Sequence, residues 1–348
     1  MSQKIRVMIV DDSVVVRKML EHTLNAQPDM QVVGMAADPV EAREVLLRSH
    51  PDVMTLDVEM PKLDGLSFLR ALMKHQPMPV VMVSAVTERG SQNALAAMDA
   101  GAVEIIPKPH GSFSVDAVKK EIVEAIRRAA KAPVRQRQSG AKTNAARAQP
   151  QHFQGHQIVA IASSTGGTQA LTRVLSQLPK NTPPLVIVQH IQAAFCASFA
   201  ARLKKDTELD VREGSAGEVL LPGMVRVAPP DIHMIVEPVA HGGFRTVLRN
   251  GPRVCFQRPA GDVLLTSVAR AAARAAVGVV LTGMGADGAE GLLAMRTAGA
   301  RTIAQDEASS VVYGMPREAV QLGAAQHVVP LERMAQTIVE LLVKPRAA

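Results

Sequence analysis

The sequence predicts two doubly wound α/β domains, because two series of short apolar segments alternate with helical patterns along the chain. The length of 348 residues suits two cores, and 47% hydrophobic with 20% charged residues is typical of globular proteins. Between the two series, residues 131–155 contain five Lys or Arg residues, no acidic residue and no apolar periodicity. We therefore predict domains at 1–130 and 156–348, joined by a flexible basic linker at 131–155.

Asp38 followed by Pro39 predicts a helix over Val40–Arg48, since Asp is a favoured N-cap and Pro a favoured first helical residue. A further helix is expected at about Ser114–Ala130. Continuous, β-branched apolar segments are typical of parallel strands covered on both faces. Five such segments predict the strands of the first domain: Val7–Val10, Val32–Met35, Val53–Leu56, Val80–Val83 and Val103–Ile106.

Three acidic residues, Asp11, Asp12 and Asp57, follow the ends of the first and third strands. The carboxyl ends of parallel strands form the ligand crevice of such a sheet, where clustered carboxylates suit Mg²⁺. Lys108 follows the fifth strand and Ser84 closes the fourth, so a cation and a hydroxyl are expected at the same edge. A carboxylate beside Mg²⁺ and a lysine is a sensible acceptor for a phosphoryl group.

These residues belong to longer motifs, Val10-Asp11-Asp12-Ser13, Asp57-x-x-Met60-Pro61-x-x-Asp64-Gly65 and Lys108-Pro109. Residues 4–130 thereby resemble the flavodoxin-like receiver domains of response regulators. One departure is Ile105, where many receivers have an aromatic switch residue. How a phosphorylation signal would reach the opposite face of this domain is therefore left open. The resemblance implies three sets of residues: the phosphoacceptor Asp57, the phosphoryl contacts Ser84 and Lys108, and the Mg²⁺ ligands Asp11, Asp12, Asp57 and Glu59 (through its carbonyl).

In the second domain, a stretch from about Leu209 to Leu248 is rich in strand signals and predicts an antiparallel addition. Ser163-Ser164-Thr165-Gly166-Gly167 follows a strand and precedes a helix, which suits a plain capping turn, an anion site or a nucleophile. A second strand–helix series predicts four parallel strands: Ile158–Ala162, Leu185–Gln189, Val277–Thr282 and Arg301–Gln305.

The loop Gly283-Met284-Gly285-Ala286-Asp287-Gly288 matches G-x-G-x-x-G, and Asp306 and Glu307 follow near the spacing of a ribose-binding acid. A nicotinamide-dependent dehydrogenase is therefore one interpretation. Against it, the Asp287 carboxylate would repel the pyrophosphate that this loop should hold. The motif also lies far downstream of the first strand of its domain.

A hydrolase site built from the same region avoids the repulsion between the Asp287 carboxylate and a bound pyrophosphate. Ser164, His190 and Asp287 each follow a predicted strand, so hydroxyl, imidazole and carboxylate are expected at one edge of the sheet. His190 would accept the proton of Ser164, and Asp287 would orient and stabilise the imidazolium. Cys196 is a weaker alternative nucleophile, and an adaptor built on an inactive hydrolase fold is a non-enzymatic alternative. G-x-S-x-G is missing, which disfavours an ordinary α/β-hydrolase.

The chain resembles the CheB family of chemotaxis protein-glutamate methylesterases over essentially its whole length, and the second domain carries six of the motifs. They are Ser164-Thr165-Gly166-Gly167-Thr168, Gln189-His190, Ala228-Pro229-x-x-x-His233-Met234, Arg258-Pro259-x-x-Asp262, Leu281-Thr282-Gly283-Met284-Gly285-x-Asp287-Gly288, and Gln305-x-Glu307-Ala308-Ser309-x-Val311-x-x-Gly314-Met315-Pro316. The resemblance implies a Rossmann-like catalytic domain with the triad Ser164, His190 and Asp287. It further implies an oxyanion donor at the Met284 N–H and pocket residues Thr165 and Arg258.

The resemblance also implies the reaction and its control. Such enzymes hydrolyse glutamate methyl esters on chemoreceptor cytoplasmic helices, releasing methanol, and many deamidate receptor glutamines. A histidine kinase is the phosphodonor, and the unphosphorylated receiver blocks access to the catalytic domain. This chain departs from the family at Ser163, where Ala is usual, and in Gln257-Arg258-Pro259-Ala260, where His-Arg-Pro-Ser is frequent.

Composition excludes several other classes. Aromatic residues make up 2% with no Trp, which disfavours base-stacking recognition of nucleic acid despite the net charge of +7. We expect two buried, reduced thiols at Cys196 and Cys255, no membrane insertion and no secretory segment, and hence a cytoplasmic setting. The chain is also expected to be a monomer. Mg²⁺ in the receiver is the expected cofactor, with none in the catalytic domain.

Overall fold

The computed structural model describes residues 4–60, 64–84, 88–108, 115–132, 153 and 156–343. The chain divides into two compact units, Met1–Gly140 and Ala141–Ala348. The predicted linker lies outside the described residues except at positions 131, 132 and 153. The domain boundaries at 130 and 156 therefore remain predictions.

The first unit contains one parallel sheet with strand order β2-β1-β3-β4-β5, which is the flavodoxin-like order. Each strand matches a predicted one to within two residues at either end. Its strands are β1 Ile5–Val10, β2 Met30–Ala36, β3 Val53–Asp57, β4 Val80–Ser84 and β5 Glu104–Pro107. Its helices are α1 Val14–Asn25, α2 Pro39–Ser49, α3 Gly65–His75, α4 Glu88–Ala100 and α5 Val115–Ala129.

Local chemistry explains where two of these helices begin. The Asp38 carboxylate accepts hydrogen bonds from the N–H groups of Val40 and Glu41, as predicted for an N-cap. Helix α3 begins at Gly65, where a Cβ atom would lie 1.9 Å from the carbonyl oxygen of Asp57. Only glycine allows this close approach, which brings the start of α3 against the end of β3.

The second unit contains a seven-stranded parallel sheet with order β15-β14-β13-β6-β7-β10-β8. The predicted strands form its centre, and β13 ends two residues earlier than predicted. Its strands are β6 Ile158–Ser163, β7 Leu185–Gln189, β8 Asp210–Glu213, β10 Met224–Val227, β13 Ala276–Val280, β14 Arg301–Gln305 and β15 His327–Val329. A separate antiparallel sheet of order β11-β12-β9 contains β9 Val219–Leu220, β11 His233–Pro238 and β12 Phe244–Arg249.

The prediction that the whole strand-rich stretch is an antiparallel addition was wrong for β8 and β10, which pair in parallel and extend the main sheet. The physical reason is that β10 is buried on both faces, since Val225, Arg226 and Val227 are all almost fully buried, as is typical of strands in a helix-covered parallel sheet. The Arg226 guanidinium forms ion pairs with Asp210 at 3.0 Å and Glu218 at 2.6 Å, so the buried charge is compensated within the sheet layer.

Helix α8 is the central helix of the second unit. Its residues Leu264, Leu265 and Val268 are fully buried against the antiparallel sheet and the main sheet. Each contributes roughly 1.5–3 kcal/mol by burial.

None of the described helices is long and apolar enough to cross a bilayer. The helices are α6 Gly167–Gln177, α7 Ala193–Asp206, α8 Gly261–Ala272, α9 Ala289–Thr297, α10 Met315–Gln321 and α11 Leu331–Val343, with a 3-10 turn at Ala273–Ala275.

Candidate functional site

The predicted acidic cluster forms at the carboxyl edge of the first sheet. Carboxylate oxygens of Asp11, Asp12 and Asp57 all lie within 4.8 Å of one another. The Lys108 ammonium lies 2.7 Å from Oδ2 of Asp57 and 3.0 Å from Oδ2 of Asp11. Ser84 is buried at the end of β4, and its carbonyl accepts the N–H of Lys108. The structure thus brings together the acids and the cation that the sequence predicted, and places Ser84 at the end of the neighbouring strand.

Burial and the ion pairs with Lys108 oppose each other in setting the pKa values of this cluster. Burial raises the pKa of Asp57 to about 6, although the hydrogen bond and charge of Lys108 act in the opposite direction. Burial lowers the pKa of Lys108, but the two carboxylates outweigh burial and leave that pKa above its ordinary value. Oδ1 of Asp57 accepts the N–H of Glu59 at 3.2 Å, which fixes the carboxylate orientation.

The donor set fits a magnesium ion. Three carboxylates face a single ammonium, so the cluster keeps an excess of negative charge when all are ionised. Oδ2 of Asp11 is buried and makes no hydrogen bond, although it forms the ion pair with Lys108. Oxygen ligands with an unsatisfied lone pair are what Mg²⁺ requires.

In the second unit, the imidazole of His190 and the carboxylate of Asp287 form a direct contact. Nε2 of His190 lies 2.8 Å from Oδ2 of Asp287, and both side chains are largely buried. Asp287 also accepts the N–H of Gly261 at 2.6 Å and that of Asp262 at 2.9 Å. These are the first N–H groups of α8, so the helix N-terminus fixes and stabilises the charged carboxylate.

Ser164 lies at the end of β6, beside this pair. Its N–H donates to the carbonyl of Thr282, and the carbonyl of the preceding Ser163 accepts the N–H of His190. Within the described residues, the Ser164 hydroxyl makes no hydrogen bond, including none to His190. Because Nε2 faces Asp287, Nδ1 is the imidazole nitrogen left to accept a proton from Ser164. The structure therefore forms one of the two contacts of the predicted triad and places Ser164 at the neighbouring strand end.

The side chain of Gln189 connects these two strand ends, a function that the sequence analysis missed. Its buried amide nitrogen donates at 2.8 Å to the carbonyls of both Ser164 and His190. Its amide oxygen accepts the hydroxyl of Ser163 at 2.7 Å. Ser163 is fully buried, so its hydroxyl is not exposed to a substrate. The signal was available, since Gln189 adjoins His190 within one motif.

This geometry predicts a positioning effect for Gln189. We expect Gln189→Leu to lower kcat by roughly 10–100-fold with little change in KM, because a shift of about 1 Å in reacting groups has effects of this size. Ser163→Ala is the matched control, since it retains both hydrogen bonds from the Gln189 nitrogen, and we expect less than about a threefold effect. Steady-state hydrolysis of a glutamate methyl ester, the substrate that the sequence resemblance implies, measures both; equal kcat values for the two variants would contradict the prediction.

The predicted oxyanion donor Met284 and the pocket residue Thr165 lie in the loops that follow two neighbouring strands, whereas no contact of Arg258 with these residues is seen within the described part of the chain. The Met284 N–H donates no hydrogen bond to any described residue, as an oxyanion donor requires. The carbonyl of buried Thr165 accepts the hydroxyl of Thr282 at 2.9 Å, which holds the Ser164 loop against the Met284 loop. Arg258 donates to the carbonyl of Gly251 at 2.8 Å, three residues before the Asp287-binding Gly261.

Neither thiol has the environment of a nucleophile. Burial raises the pKa of Cys196 far above its ordinary value, so its thiolate is not available near neutral pH. Cys255 is exposed, so the expectation that both thiols are buried was wrong for this residue. Burial of its sulfur, followed by the charge of Asp262, raises the pKa of Cys255 to about 11. Its Sγ lies 3.6 Å from the carboxylate of Asp262.

Comparison with known proteins decides the family. The family model described as CheB methylesterase matches residues 159–338, and the response regulator receiver domain matches residues 7–119. The chain belongs to the CheB methylesterase family. The receiver and Rossmann-like methylesterase folds inferred from the sequence are thereby confirmed.

Relatives extend this CheB similarity over nearly the full chain. The protein-glutamate methylesterase/protein-glutamine glutaminase 4 of Anaeromyxobacter dehalogenans is 47% identical, covering 97% of this chain and 95% of that protein. The protein of the same function name from Salmonella typhi is 45% identical, covering 96% of this chain and 95% of that protein. The crystal structure of the CheB methylesterase catalytic domain of Thermotoga maritima is 35% identical with a TM-score of 0.52, covering 54% of this chain and 100% of that one.

Proposed function

We propose that this CheB family member hydrolyses glutamate methyl esters on chemoreceptor cytoplasmic helices, releases methanol, and also deamidates receptor glutamines. The observation that carries the proposal is the His190–Asp287 contact, fixed by the α8 N-terminus beside Ser164. Relatives that share nearly the whole chain bear the corresponding name. An adaptor on an inactive fold would not need this buried, fully hydrogen-bonded carboxylate.

In the proposed mechanism, Ser164 Oγ attacks the ester carbonyl while its proton passes to Nδ1 of His190. Asp287 stabilises the resulting imidazolium, and the Met284 N–H donates to the oxyanion of the tetrahedral intermediate. His190 returns the proton to the methoxide leaving group, so methanol departs and an acyl-serine remains. Water, activated by His190, then cleaves the acyl-serine and yields the glutamate carboxylate and free Ser164.

The first domain supplies the proposed control. A receiver of this kind uses Mg²⁺, and Asp11, Asp12, Asp57 and the Glu59 carbonyl would hold it, supplying charge neutralisation for phosphoryl transfer. Oδ of Asp57 is the acceptor for a phosphoryl group from a histidine kinase, and Ser84 and Lys108 contact that group. We place the enzyme in the cytoplasm as a monomer, without nucleic-acid partners or membrane insertion and without a cofactor in the catalytic domain.

Phosphorylation of Asp57 is expected to raise methanol release from methylated receptor membranes by about 5–150-fold, the range of a typical coupling free energy of 1–3 kcal/mol. Asp57→Asn should abolish this response to a small-molecule phosphodonor, because the amide cannot accept the phosphoryl group. The basal rate of the variant serves as the control. An unchanged response in Asp57→Asn would contradict the assignment of the acceptor.

The competing dinucleotide site is disfavoured by the same contacts. The Asp287 carboxylate occupies the two α8 N–H groups beside the Gly283–Gly288 loop, and it brings negative charge to that loop. We therefore expect no submicromolar binding of NAD or NADP in a calorimetric titration. Tight binding would restore the dehydrogenase interpretation.

A further inference from the structure

A thiol and two carboxylates from three separate segments converge beside His190. Cys255 lies in a tight turn before α8, Asp262 in the first turn of α8, and Asp287 in the loop that follows β13. One ligand atom from each of these three side chains lies within 4.8 Å of the other two. The cluster therefore presents one sulfur and two carboxylates to a common point.

The negative charge of this cluster is not compensated by any lysine or arginine in the described part of the chain. Asp262 forms no ion pair there, and the ion pair of Asp287 is with His190 alone. Glu290, in the first turn of α9, adds a third carboxylate whose charge acts on Cys255. Asp262 is only 8% exposed, and burial together with the Asp287 charge raises its pKa. Buried charges in proteins are normally paired or bound to a metal ion, so the cluster has the charge that a cation would satisfy.

The spacing of the sulfur and oxygen atoms suits zinc. Zn²⁺ binds thiolate sulfur at about 2.3 Å and carboxylate oxygen at about 2.0–2.2 Å, usually with tetrahedral geometry. A sulfur and an oxygen on one tetrahedral ion are therefore about 3.5–3.7 Å apart. Sγ of Cys255 lies 3.6 Å from Oδ2 of Asp262, so these two atoms already have the separation that a shared zinc ion requires.

The surrounding contacts orient the carboxylates and leave a path for the ion. Oδ1 of Asp262 accepts the Gly291 N–H at 2.8 Å, and Oδ1 of Asp287 accepts the Asp262 N–H at 2.9 Å. Hydrogen bonds of this kind commonly hold the carboxylate ligands of metal sites. Cys255 is exposed, so an ion can reach the sulfur from solvent.

We infer that Cys255, Asp262 and Asp287 form an inhibitory site for a thiophilic divalent cation such as Zn²⁺. The sulfur–zinc bond forms as the thiol proton passes to solvent, because a coordinating thiol is deprotonated by the ion. A dication bound to Asp287 opposes the positive charge that His190 takes up when Ser164 attacks. The inhibition rests on the proposed function, whereas the binding of zinc does not.

Zinc inhibition of the full-length enzyme provides the first test, with a short glutamate γ-methyl ester as substrate and Mg²⁺ in excess for the receiver. We expect low-micromolar zinc chloride to lower the rate by at least about tenfold, a small part of the roughly 10⁴-fold effect of a triad carboxylate. Chelation with EDTA should restore the rate. A rate that does not respond to zinc would overturn the inference.

Cys255→Ala removes the sulfur ligand and should leave the basal rate unchanged. We expect it to raise the inhibition constant of zinc by at least about tenfold, since loss of even an outer-shell partner typically costs 10–100-fold in metal affinity. Cys196→Ala is the matched control, because it removes a buried thiol elsewhere and should retain wild-type inhibition. Equal inhibition of Cys255→Ala and wild type would place the zinc ion elsewhere and overturn the inference.

A cobalt titration tests binding without turnover. Co²⁺ in place of zinc should give a thiolate-to-cobalt charge-transfer band in the wild type and in Cys196→Ala, but not in Cys255→Ala. The receiver cluster consists of carboxylates and cannot produce this band. Absence of the band in the wild type, or its persistence in Cys255→Ala, would overturn the inference. A wild type that forms the band but does not hydrolyse the ester even without zinc would support the cation site and overturn the proposed function instead.

Discussion

Ser164→Ala is expected to reduce methanol release by about 10⁵–10⁶-fold, the size of loss seen when a triad nucleophile is removed. The reason is that Ala leaves His190 and Asp287 without a group to activate. Only oxyanion stabilisation and substrate binding then remain, which typically retain about 10³–10⁴-fold catalysis over water. Stopped assays of methanol release from methylated receptor membranes have the range to measure such a loss.

The fold should tolerate this substitution, because the Ser164 hydroxyl makes no hydrogen bond within the described part of the chain. We expect the thermal unfolding midpoint to match that of the wild type. Ser163→Ala is the matched control, since it removes a hydroxyl one residue earlier that bonds only inside the protein. Near-normal activity of Ser164→Ala would show that another residue is the nucleophile.

The sequence predicted the parallel sheets well because their strands are covered on both faces, as the fully buried β3, β4, β6 and β7 show. The sequence did not predict the placement of β8 and β10, because their alternating apolar and charged residues are compatible with both the parallel and the antiparallel sheet. In the observed placement, Arg226 of β10 bonds to two acidic partners that lie 16 and eight residues away. An ion pair between residues this far apart in the chain leaves no periodic trace in the sequence.

The candidate site shows the same division between local and long-range information. Ser164, His190 and Asp287 could be proposed because each follows an apolar strand, and strand ends meet at one edge. The hydrogen bonds that hold these three residues in place could not be predicted from strand ends. The hydrogen bond from the Asp262 N–H to the Asp287 carboxylate joins residues 25 positions apart in the chain. The hydrogen bond from the Thr282 hydroxyl to the Thr165 carbonyl joins residues 117 positions apart. Such contacts depend on loop paths that no local pattern specifies.

Asp287→Asn is expected to lower kcat by about 10³–10⁴-fold on a short glutamate ester. The carboxylate now accepts three hydrogen bonds, two of them at Oδ2, from His190 and Gly261. The variant amide keeps most of these by placing its oxygen at Oδ2, so the imidazole retains a neutral acceptor. What is lost is the negative charge that holds the imidazole in the tautomer able to accept the Ser164 proton and that stabilises the imidazolium, and replacing this carboxylate in a serine protease costs about 10⁴-fold.

A loss of about 10⁴-fold corresponds to about 5.4 kcal/mol in the barrier, at 1.36 kcal/mol per tenfold. In the variant, the amide NH₂ would face the Asp262 N–H, and such an unsatisfied donor costs only about 1–3 kcal/mol of stability. Unfolding therefore cannot account for the loss if circular dichroism shows the variant folded at the assay temperature. Asp262→Asn is the matched control, because its carboxylate accepts the Gly291 N–H and does not contact the imidazole. We expect it to keep kcat within about tenfold; equal losses in both variants would indicate a structural effect rather than charge stabilisation.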